Sequence, residues 1–230
     1  MTENPLNLYG DRLVSTTGLH GGDISSQRVD ELDHCSIDFV AQRRGGGAMP
    51  VAVDIGGGHG AQARRMARAG ASALLIDLTD QQSSAEDFNR ELGRSAIRSF
   101  KGDVRDIDVR TLCPPLDVIY SQRMMGCIRY AELRDLLKVL FEHANPGARC
   151  FLSASGLETE FGLTYPHRDL PVAERWASIT PEMAEKHQMY APECLYRDLE
   201  LAELVAACGF TVLRAWQSTF GTPKVIAEKL

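Results

Sequence analysis

The sequence predicts an α/β protein built on an open, mostly parallel sheet. Residues 51–70 combine a short run rich in Val and Ile, a glycine turn and a helical pattern, which is typical of a strand–turn–helix unit. Further short apolar runs then alternate with helical patterns as far as residue 156. Two final strands, at 211–217 and 224–229, are joined by a turn too short for a crossover helix, so they are expected to pair antiparallel.

Length and composition favour a single globular domain. The chain has 230 residues, of which 44% are hydrophobic, and this is enough to bury a full core. The net charge is -6, with acidic and basic residues mixed along the chain, which argues against a nucleic-acid partner. No apolar run approaches the length needed to span a bilayer, so no membrane partner is expected.

The cysteines and histidines form no recognisable metal-binding pattern. The six cysteines include no C-x-x-C pair, and the six histidines are scattered. We therefore expect reduced, mostly buried thiols in a cytoplasmic protein, and no metal. The N-terminus lacks the charged and then apolar pattern of a secretory signal, which also favours the cytoplasm.

The turn after the first strand is consistent with two kinds of ligand. Its spacing Gly56-x-Gly58-x-x-Ala61 fits the dinucleotide fingerprint, so a nicotinamide-dependent oxidoreductase is one interpretation. The same stretch also reads Asp54-x-Gly56-x-Gly58-x-Gly60. A carboxylate at the strand end works against a pyrophosphate but favours a ligand with a cationic amino group and a sulfonium. This acidic glycine loop resembles that of the class I S-adenosylmethionine-dependent methyltransferases.

Acidic residues also follow the next two predicted strands. The second strand, 72–77, ends at Asp77, roughly 20 residues beyond the glycine loop, where a carboxylate can accept hydrogen bonds from both ribose hydroxyls. After a helix at 84–92, the third strand leads to Asp103-Val104. The resemblance implies that Asp103 accepts from the exocyclic amine of adenine and that Val104 packs on the ring or offers it a backbone N–H. The alternatives are a helix cap at Asp77 and a solvated turn at Asp103.

The second half of the chain separates the two interpretations. The fourth strand, 116–120, ends at Ser121-Gln122, the position where methyl donor and acceptor meet in the methyltransferases. The next segment resembles one found in the methyltransferases and seldom in nucleotide dehydrogenases. It consists of an amphipathic helix at 130–143, a Pro-Gly turn and a fifth strand at 148–156. The final antiparallel hairpin is also the methyltransferase arrangement. The resemblance covers residues 50–156 and 196–230.

The resemblance implies a doubly wound, mostly parallel sheet of seven strands in the order 3-2-1-4-5-7-6, with the last strand antiparallel and helices on both faces. It also implies S-adenosyl-L-methionine as the cofactor. The residues expected to bind this cofactor are Asp54, Gly56, Gly57, Gly58, Gly60, Asp77, Leu78, Asp103, Val104, Ser121 and Gln122.

Two segments are expected to lie outside the sheet. Residues 1–48 are predicted to form an N-terminal lid with a helix from Ser26 to Arg44, ahead of a methyltransferase domain at 49–230. A surface arm is the alternative for the start of the chain. Residues 157–195 form an insertion that either builds a wall of the substrate pocket, as this connection does in the family, or consists of packed loops.

The function that the resemblance implies is methyl transfer to a small-molecule acceptor, with a protein or RNA acceptor as an alternative. Because a sulfonium methyl is already activated, alignment and water exclusion can supply much of the catalysis and a general base is optional. The candidates for a base are His20, Tyr9 and His167, each able to approach from a loop. The other interpretations are an NAD(P)-dependent oxidoreductase and a binding protein without catalytic activity. The sequence does not indicate the oligomeric state.

Overall fold

The computed structural model describes residues 20–24 and 26–230, which form a seven-stranded sheet with helices on both faces. The strands are β1 (Val51–Ile55), β2 (Ser72–Asp77), β3 (Ile97–Lys101), β4 (Leu116–Ser121), β5 (Ala144–Ser153), β6 (Thr211–Gln217) and β7 (Pro223–Glu228). The helices are α1 (Glu31–Gly45), α2 (Ala61–Arg68), α3 (Gln82–Leu92), α4 (Tyr130–His143), α5 (Pro181–His187) and α6 (Glu200–Ala207). Within these described ranges no helix has both the length and the apolar character required to cross a membrane.

The strand order is β3-β2-β1-β4-β5-β7-β6, which confirms the predicted topology. The neighbouring pairs from β3 to β5 are parallel. Strand β7 lies between β5 and β6 and pairs antiparallel with both. The short turn between β6 and β7 forces this reversal, because a parallel neighbour would need a crossover of a dozen or more residues. The sheet is therefore not the all-parallel sheet of a dinucleotide-binding domain.

Alternating side chains of the strands pack into two layers of helices. On β1, Val53 and Ile55 face a cluster built with α4 and α6, which includes Leu137 and Leu204. Ala52 faces the opposite layer, where α1 and α2 pack, and α3 continues that layer over β2 and β3. With both faces covered, the carboxyl ends of the parallel strands are left as the place for a ligand.

Helix α1 begins at Glu31, five residues later than the predicted start at Ser26. The Asp30 side chain caps it by accepting a hydrogen bond from the backbone N–H of Leu32 at 2.9 Å, which sets the first turn. Residues 26–30 form a turn and an extended segment instead. The buried side chains of α1, Leu32, Phe39 and Val40, pack on the sheet.

The amino-terminal edge of the sheet is joined to α1 by one buried carboxylate. Asp117 Oδ1 accepts from the Arg43 guanidinium at 2.6 Å and from Asn145 Nδ2 at 3.1 Å. Its Oδ2 accepts from the backbone N–H of Val51 at 2.9 Å. The end of α1 and the starts of β1, β4 and β5 therefore meet at this residue. Strand β5 begins at Ala144, earlier than the predicted start at residue 148. The pairing of β4 with β5 shifts register between Leu116 and Val118, and this irregularity accommodates the Pro-Gly turn within the strand.

Candidate active site

A cleft lies at the carboxyl ends of β1, β2 and β4, with about 1090 Å³ of space including its open mouth. The glycine loop after β1 forms its floor. Gly56 and Gly58 have φ of 66° and 55°, a region that side chains with a Cβ rarely adopt. A Cβ on Gly56 would also lie 2.3 Å from Cγ of Met124. Glycine is therefore required here for backbone conformation and for space.

Asp54, at the end of β1, is a buried acid on the cleft wall. Its Oδ2 accepts a hydrogen bond from the backbone N–H of Ala63 in α2 at 3.0 Å. Burial raises the pKa of Asp54 to about 7, the hydrogen bond from Ala63 opposes the rise, and the nearby Asp33, Asp77 and Asp23 add to it. A cation in the cleft would stabilise the ionised form, so the site fits a ligand that carries positive charge.

Asp77, at the end of β2, lies on the cleft wall and holds the glycine loop. Its Oδ2 accepts from the backbone N–H of Gly58 at 2.8 Å. Its Oδ1 accepts from the backbone N–H of Thr79 at 2.9 Å and from the Thr79 hydroxyl at 2.6 Å. A carboxylate has about four lone-pair sites, so acceptor capacity remains toward the cleft. The neighbouring Leu78 also lines the cleft, with 44% of its surface exposed.

Asp103 and Val104 lie on the cleft wall beyond β3, and Asp103 has an ionic partner there. Its Oδ1 accepts from Nε of Arg105 at 2.9 Å and its Oδ2 from Nη2 at 2.5 Å. The hydrogen bonds from the Arg105 side chain hold the pKa of Asp103 below its usual value. Val104 is almost fully buried and presents an apolar surface to the cleft. An exocyclic amine would have to share Asp103 with Arg105.

Two of the predicted cofactor residues do not reach the cleft wall. Ser121 is fully buried, and its hydroxyl donates to the carbonyl of Ile55 at 2.8 Å, which ties β4 to β1. Gly60 caps α2 in a left-handed conformation and packs on Leu75. Gly56, Gly57, Gly58 and Gln122 line the cleft as expected. Position along the chain therefore predicted which loops lie at the cleft but not which of their residues face it.

Of the three candidate bases, the structure places one at the cleft. Tyr9 lies outside the described residues. His167 does not line the cleft, and its ring centroid lies 6.2 Å from that of Tyr165. His20 lines the cleft, and its Nδ1 lies 3.5 Å from Oε1 of Glu193.

A second cavity, of about 1330 Å³ including its mouth, adjoins the cleft. Four residues line both spaces: His20, Gly22, Ile24 and Arg123. The insertion at 157–195 contributes Thr159, Phe161, His187 and Met189 to its wall, and the hairpin of β6 and β7 contributes Trp216, Phe220 and Lys224. Its lining therefore combines aromatic and charged side chains.

Several residues of the site carried no signal in the sequence. Asp23 reaches the glycine loop, where its Oδ2 accepts from the backbone N–H of His59 at 3.3 Å. Tyr120 donates from its hydroxyl to Asp33 at 2.5 Å beneath the cleft. Arg123 has a φ of 66°, a conformation that is rare outside glycine and is found at functional sites. These residues are brought together by tertiary contacts, although Asp30-x-x-Asp33 could have been recognised as a capping pattern.

A family model described as a methyltransferase domain matches residues 37–215 of the chain. Among curated proteins, no sequence matches it significantly. The chain is similar in structure to 1,6-didemethyltoxoflavin-N1-methyltransferase from Burkholderia thailandensis, solved with bound 1,6-didemethyltoxoflavin and S-adenosylhomocysteine. The TM-score is 0.60 at 16% identity, over 86% of this chain and 78% of that one.

Two further solved structures show the same likeness. The N,N-8-amino-8-demethyl-D-riboflavin dimethyltransferase RosA from Streptomyces davawensis gives a TM-score of 0.56 at 16% identity, over 87% of this chain and 53% of that one. Human N-acetylserotonin methyltransferase, in complex with S-adenosylmethionine, gives 0.52 at 16%, over 84% of this chain and 51% of that one. This chain thus spans about half the length of these two proteins.

At these sequence identities the structural likeness shows the fold alone. The family model shows that the chain belongs to the family, because it matches most of the chain. The strand order and the antiparallel β7 agree with both. The chain belongs to the methyltransferase-domain family and has the class I S-adenosylmethionine-dependent methyltransferase fold.

Proposed function

We propose that the protein transfers a methyl group from S-adenosyl-L-methionine to a small-molecule acceptor. One observation carries the proposal. A cleft with a buried aspartate and further acids around it opens directly into a second, partly aromatic cavity. The first space suits a cationic adenosyl ligand, and the second suits an organic molecule held beside it.

The charges in the cleft support the choice of cofactor. Asp54 is wholly buried, and the fields of Asp33, Asp77 and Asp23 all disfavour its ionisation. A dinucleotide would bring a pyrophosphate into this negative field, at a cost, whereas an amino group and a sulfonium would be attracted. We assign Asp54 and the glycine loop to the methionine portion and Asp77 to the ribose.

The remaining cofactor contacts follow the cleft wall. Asp103 and Val104 are assigned to the adenine, with Val104 supplying the apolar surface for the ring. Leu78 and Gln122 complete the wall. We assign Ser121 an indirect role, because its hydrogen bond to the carbonyl of Ile55 holds β4 beside β1 and its side chain does not face the cofactor.

The second cavity supports a small-molecule acceptor over a protein or RNA. It is bounded by the segment at residues 20–24, by the insertion and by the β6–β7 hairpin, so an acceptor would be enclosed on several sides. Phe161, Trp216 and Phe220 provide surfaces on which a planar ring can pack. We therefore propose the insertion as the substrate wall. The named relatives that act on toxoflavin and riboflavin derivatives are consistent with this class of acceptor.

The chain's own residues position the reactants. When bound, the cofactor supplies a methyl group on an electron-poor sulfur. The cleft wall fixes its orientation, and the segment at residues 20–24, tied to the glycine loop through Asp23 and His59, excludes water from the junction of the two cavities. Residues 1–48 are proposed to act as the lid and its helix, with 49–230 as the catalytic domain.

The state of the cysteines supports a working compartment. The six cysteines are free thiols, which favours the cytoplasm.

Isothermal titration with S-adenosylhomocysteine tests the cofactor assignment. The wild-type protein should bind it, and Asp77→Ala should weaken binding by about 10- to 100-fold, because hydrogen bonds to a charged group contribute about 1.5–3 kcal/mol. Asp87→Ala is the matched control, since Asp87 is exposed on α3, pairs with the neighbouring Arg90 in an i,i+3 contact and does not line the cleft. Binding of NADH in place of S-adenosylhomocysteine would overturn the proposal.

The acceptor class is tested by incubating the enzyme with a methyl-labelled donor and a cell extract divided into small molecules, proteins and RNA. Label should enter the small-molecule fraction. A Trp216→Ala variant should lose this transfer while retaining S-adenosylhomocysteine binding, because Trp216 lines the second cavity and not the cleft. Label confined to protein or RNA would contradict the assignment of the acceptor.

A further inference from the structure

Three residues with metal-binding side chains meet where the cleft joins the second cavity. His20 comes from the N-terminal segment, Cys127 from the turn after β4, and Glu193 from the end of the insertion. Nδ1 of His20, Sγ of Cys127 and a carboxylate oxygen of Glu193 all lie within 4.8 Å of one another. Their separation along the chain explains why residue spacing gave no sign of such a group and why no metal was expected from the sequence.

The contacts of Glu193 point to a cation at this position. Its side chain has no exposed surface, and its Oε1 accepts a hydrogen bond from Sγ of Cys127 at 3.2 Å and lies 3.5 Å from Nδ1 of His20. A buried carboxylate is costly unless a positive charge lies beside it.

His20 lies within ion-pair distance of Glu193 but makes no hydrogen bond to it. Its Nδ1 is buried and makes no hydrogen bond to any residue of the described chain. An imidazolium here would offer the carboxylate a charge without a hydrogen bond, whereas a metal ion would use the nitrogen, the thiol sulfur and the carboxylate oxygen together. The unpartnered nitrogen, the thiol and the carboxylate share a single small volume.

We propose that His20 Nδ1, Cys127 Sγ and Glu193 Oε1 bind a divalent transition-metal ion of the zinc class. A mixture of imidazole, thiolate and carboxylate donors suits zinc, and three protein ligands leave a fourth position open in a tetrahedral site. Ser155 supports the arrangement, because its hydroxyl donates to Oε2 of Glu193 at 2.7 Å and holds the other oxygen toward the cluster.

The role of this ion rests on the proposed methyl transfer. His20 lines both cavities and Cys127 lines the cleft, so an ion held by them would lie beside the junction of donor and acceptor spaces. There the ion binds the acceptor heteroatom and lowers the pKa of its O–H or N–H. The proton leaves to water, and the acceptor lone pair forms the new bond to the methyl carbon. The bond from that carbon to sulfur breaks, and its electron pair stays on sulfur.

Cobalt titration of the wild-type protein, stripped with a chelator, tests the site directly. One equivalent of Co²⁺ should bind and produce the visible absorption of a tetrahedral ion together with a thiolate-to-cobalt charge-transfer band. Zinc added afterwards should remove both signals. Less than one equivalent bound, or binding without the charge-transfer band, would overturn the inference.

Variants locate the ligands. Cys127→Ser should abolish the charge-transfer band, and Glu193→Gln should weaken cobalt binding by at least tenfold, with thermal unfolding as the check on folding. Ser155→Ala should weaken it by about 10- to 100-fold, the usual effect of a partner that orients a ligand. Cys35→Ser is the matched control, since Cys35 lies on α1 away from the cluster, and it should leave the band unchanged. A band of wild-type intensity in Cys127→Ser would refute the assignment.

Titration of the stripped and the zinc-loaded wild-type protein with S-adenosylhomocysteine separates this inference from the proposed function. Binding of S-adenosylhomocysteine without stoichiometric cobalt binding would refute the metal site alone. Cobalt binding without S-adenosylhomocysteine binding would refute the proposed function and leave the metal site standing.

Discussion

The buried charge of Asp54 predicts that Asp54→Asn makes the protein more stable and a weaker binder of its cofactor. Because burial raises the pKa of Asp54 from 3.8 to about 7, ionisation costs stability as the pH rises between these values. At about 1.36 kcal/mol for each pKa unit, the difference between these two pKa values corresponds to about 4 kcal/mol of folding free energy. Asparagine keeps an oxygen for the backbone N–H of Ala63 and carries no charge. We therefore expect a gain of stability near pH 8 that approaches this upper limit.

The sign of the pH dependence is fixed by the direction of the shift. A carboxyl group whose pKa is higher in the folded protein favours folding at low pH, and this contribution is lost as the pH rises through the folded value. The stability advantage of Asp54→Asn over wild type should thus be smallest near pH 4, grow up to pH 7 and stay constant above it. Chemical denaturation at pH 5, 6, 7 and 8 measures the difference.

Cofactor binding should change in the opposite direction. A ligand that needs ionised Asp54 gains about tenfold in affinity between pH 6 and pH 8, because the ionised fraction rises by that factor around a pKa near 7. Asp54→Asn should bind S-adenosylhomocysteine more weakly at pH 8 and lack this component of the pH dependence. Equal stability of variant and wild type at pH 5 and pH 8, or unchanged affinity, would refute the electrostatic reasoning.

Three further changes test the packing around the site. Gly57→Ala should cost about 1–3 kcal/mol in chemical denaturation, because its Cβ would lie 2.5 Å from Cδ1 of Leu75; unchanged stability would show that the loop relaxes freely. Arg175→Ala should cost about 3–5 kcal/mol, because Arg175 is 1% exposed and donates to both oxygens of Glu200, at 2.6 and 2.8 Å. A loss below about 1 kcal/mol there would contradict a structural role for the pair. Ser121→Ala should lower stability by about 1 kcal/mol and leave the Kd for S-adenosylhomocysteine unchanged in calorimetry, whereas a weaker Kd would restore Ser121 as a contact.

The sheet could be predicted because its determinants are local. Glycine turns, strand-length apolar runs and the short link before β7 each constrain the chain over a few residues, and together they locate the strands and the antiparallel pair. The order of the strands was implied by the resemblance to the methyltransferase family, and the structure confirms it. The acids at the ends of β1 and β2 could be placed at one edge of the sheet for the same reason, and both line the cleft, while their contact with a cofactor stays a prediction.

The details of the site depend on contacts that no local pattern encodes. Ser121 stands at the expected position but turns inward, because the carbonyl of Ile55 offers its hydroxyl a partner. The side chain of Glu193 reaches Cys127 across 66 residues of sequence, and a single sequence gives no sign of such a pair. The start of α1 was misplaced because the cap at Asp30 was not recognised.

The way α1 is joined to the sheet limits how this protein can be shortened. The family match begins at residue 37, inside α1, so a version trimmed to that point would lose the Asp30 cap and the Leu32 side chain. The buried cluster that includes Phe151 and Ile226 would lose Leu32, and Arg43 would contact Asp117 from a helix that has lost roughly its first two turns. For expression or crystallisation, residues from His20 onward should be retained, so that the Asp30 cap, Asp23 and His20 all remain, and affinity tags are better placed near Leu230, which is exposed.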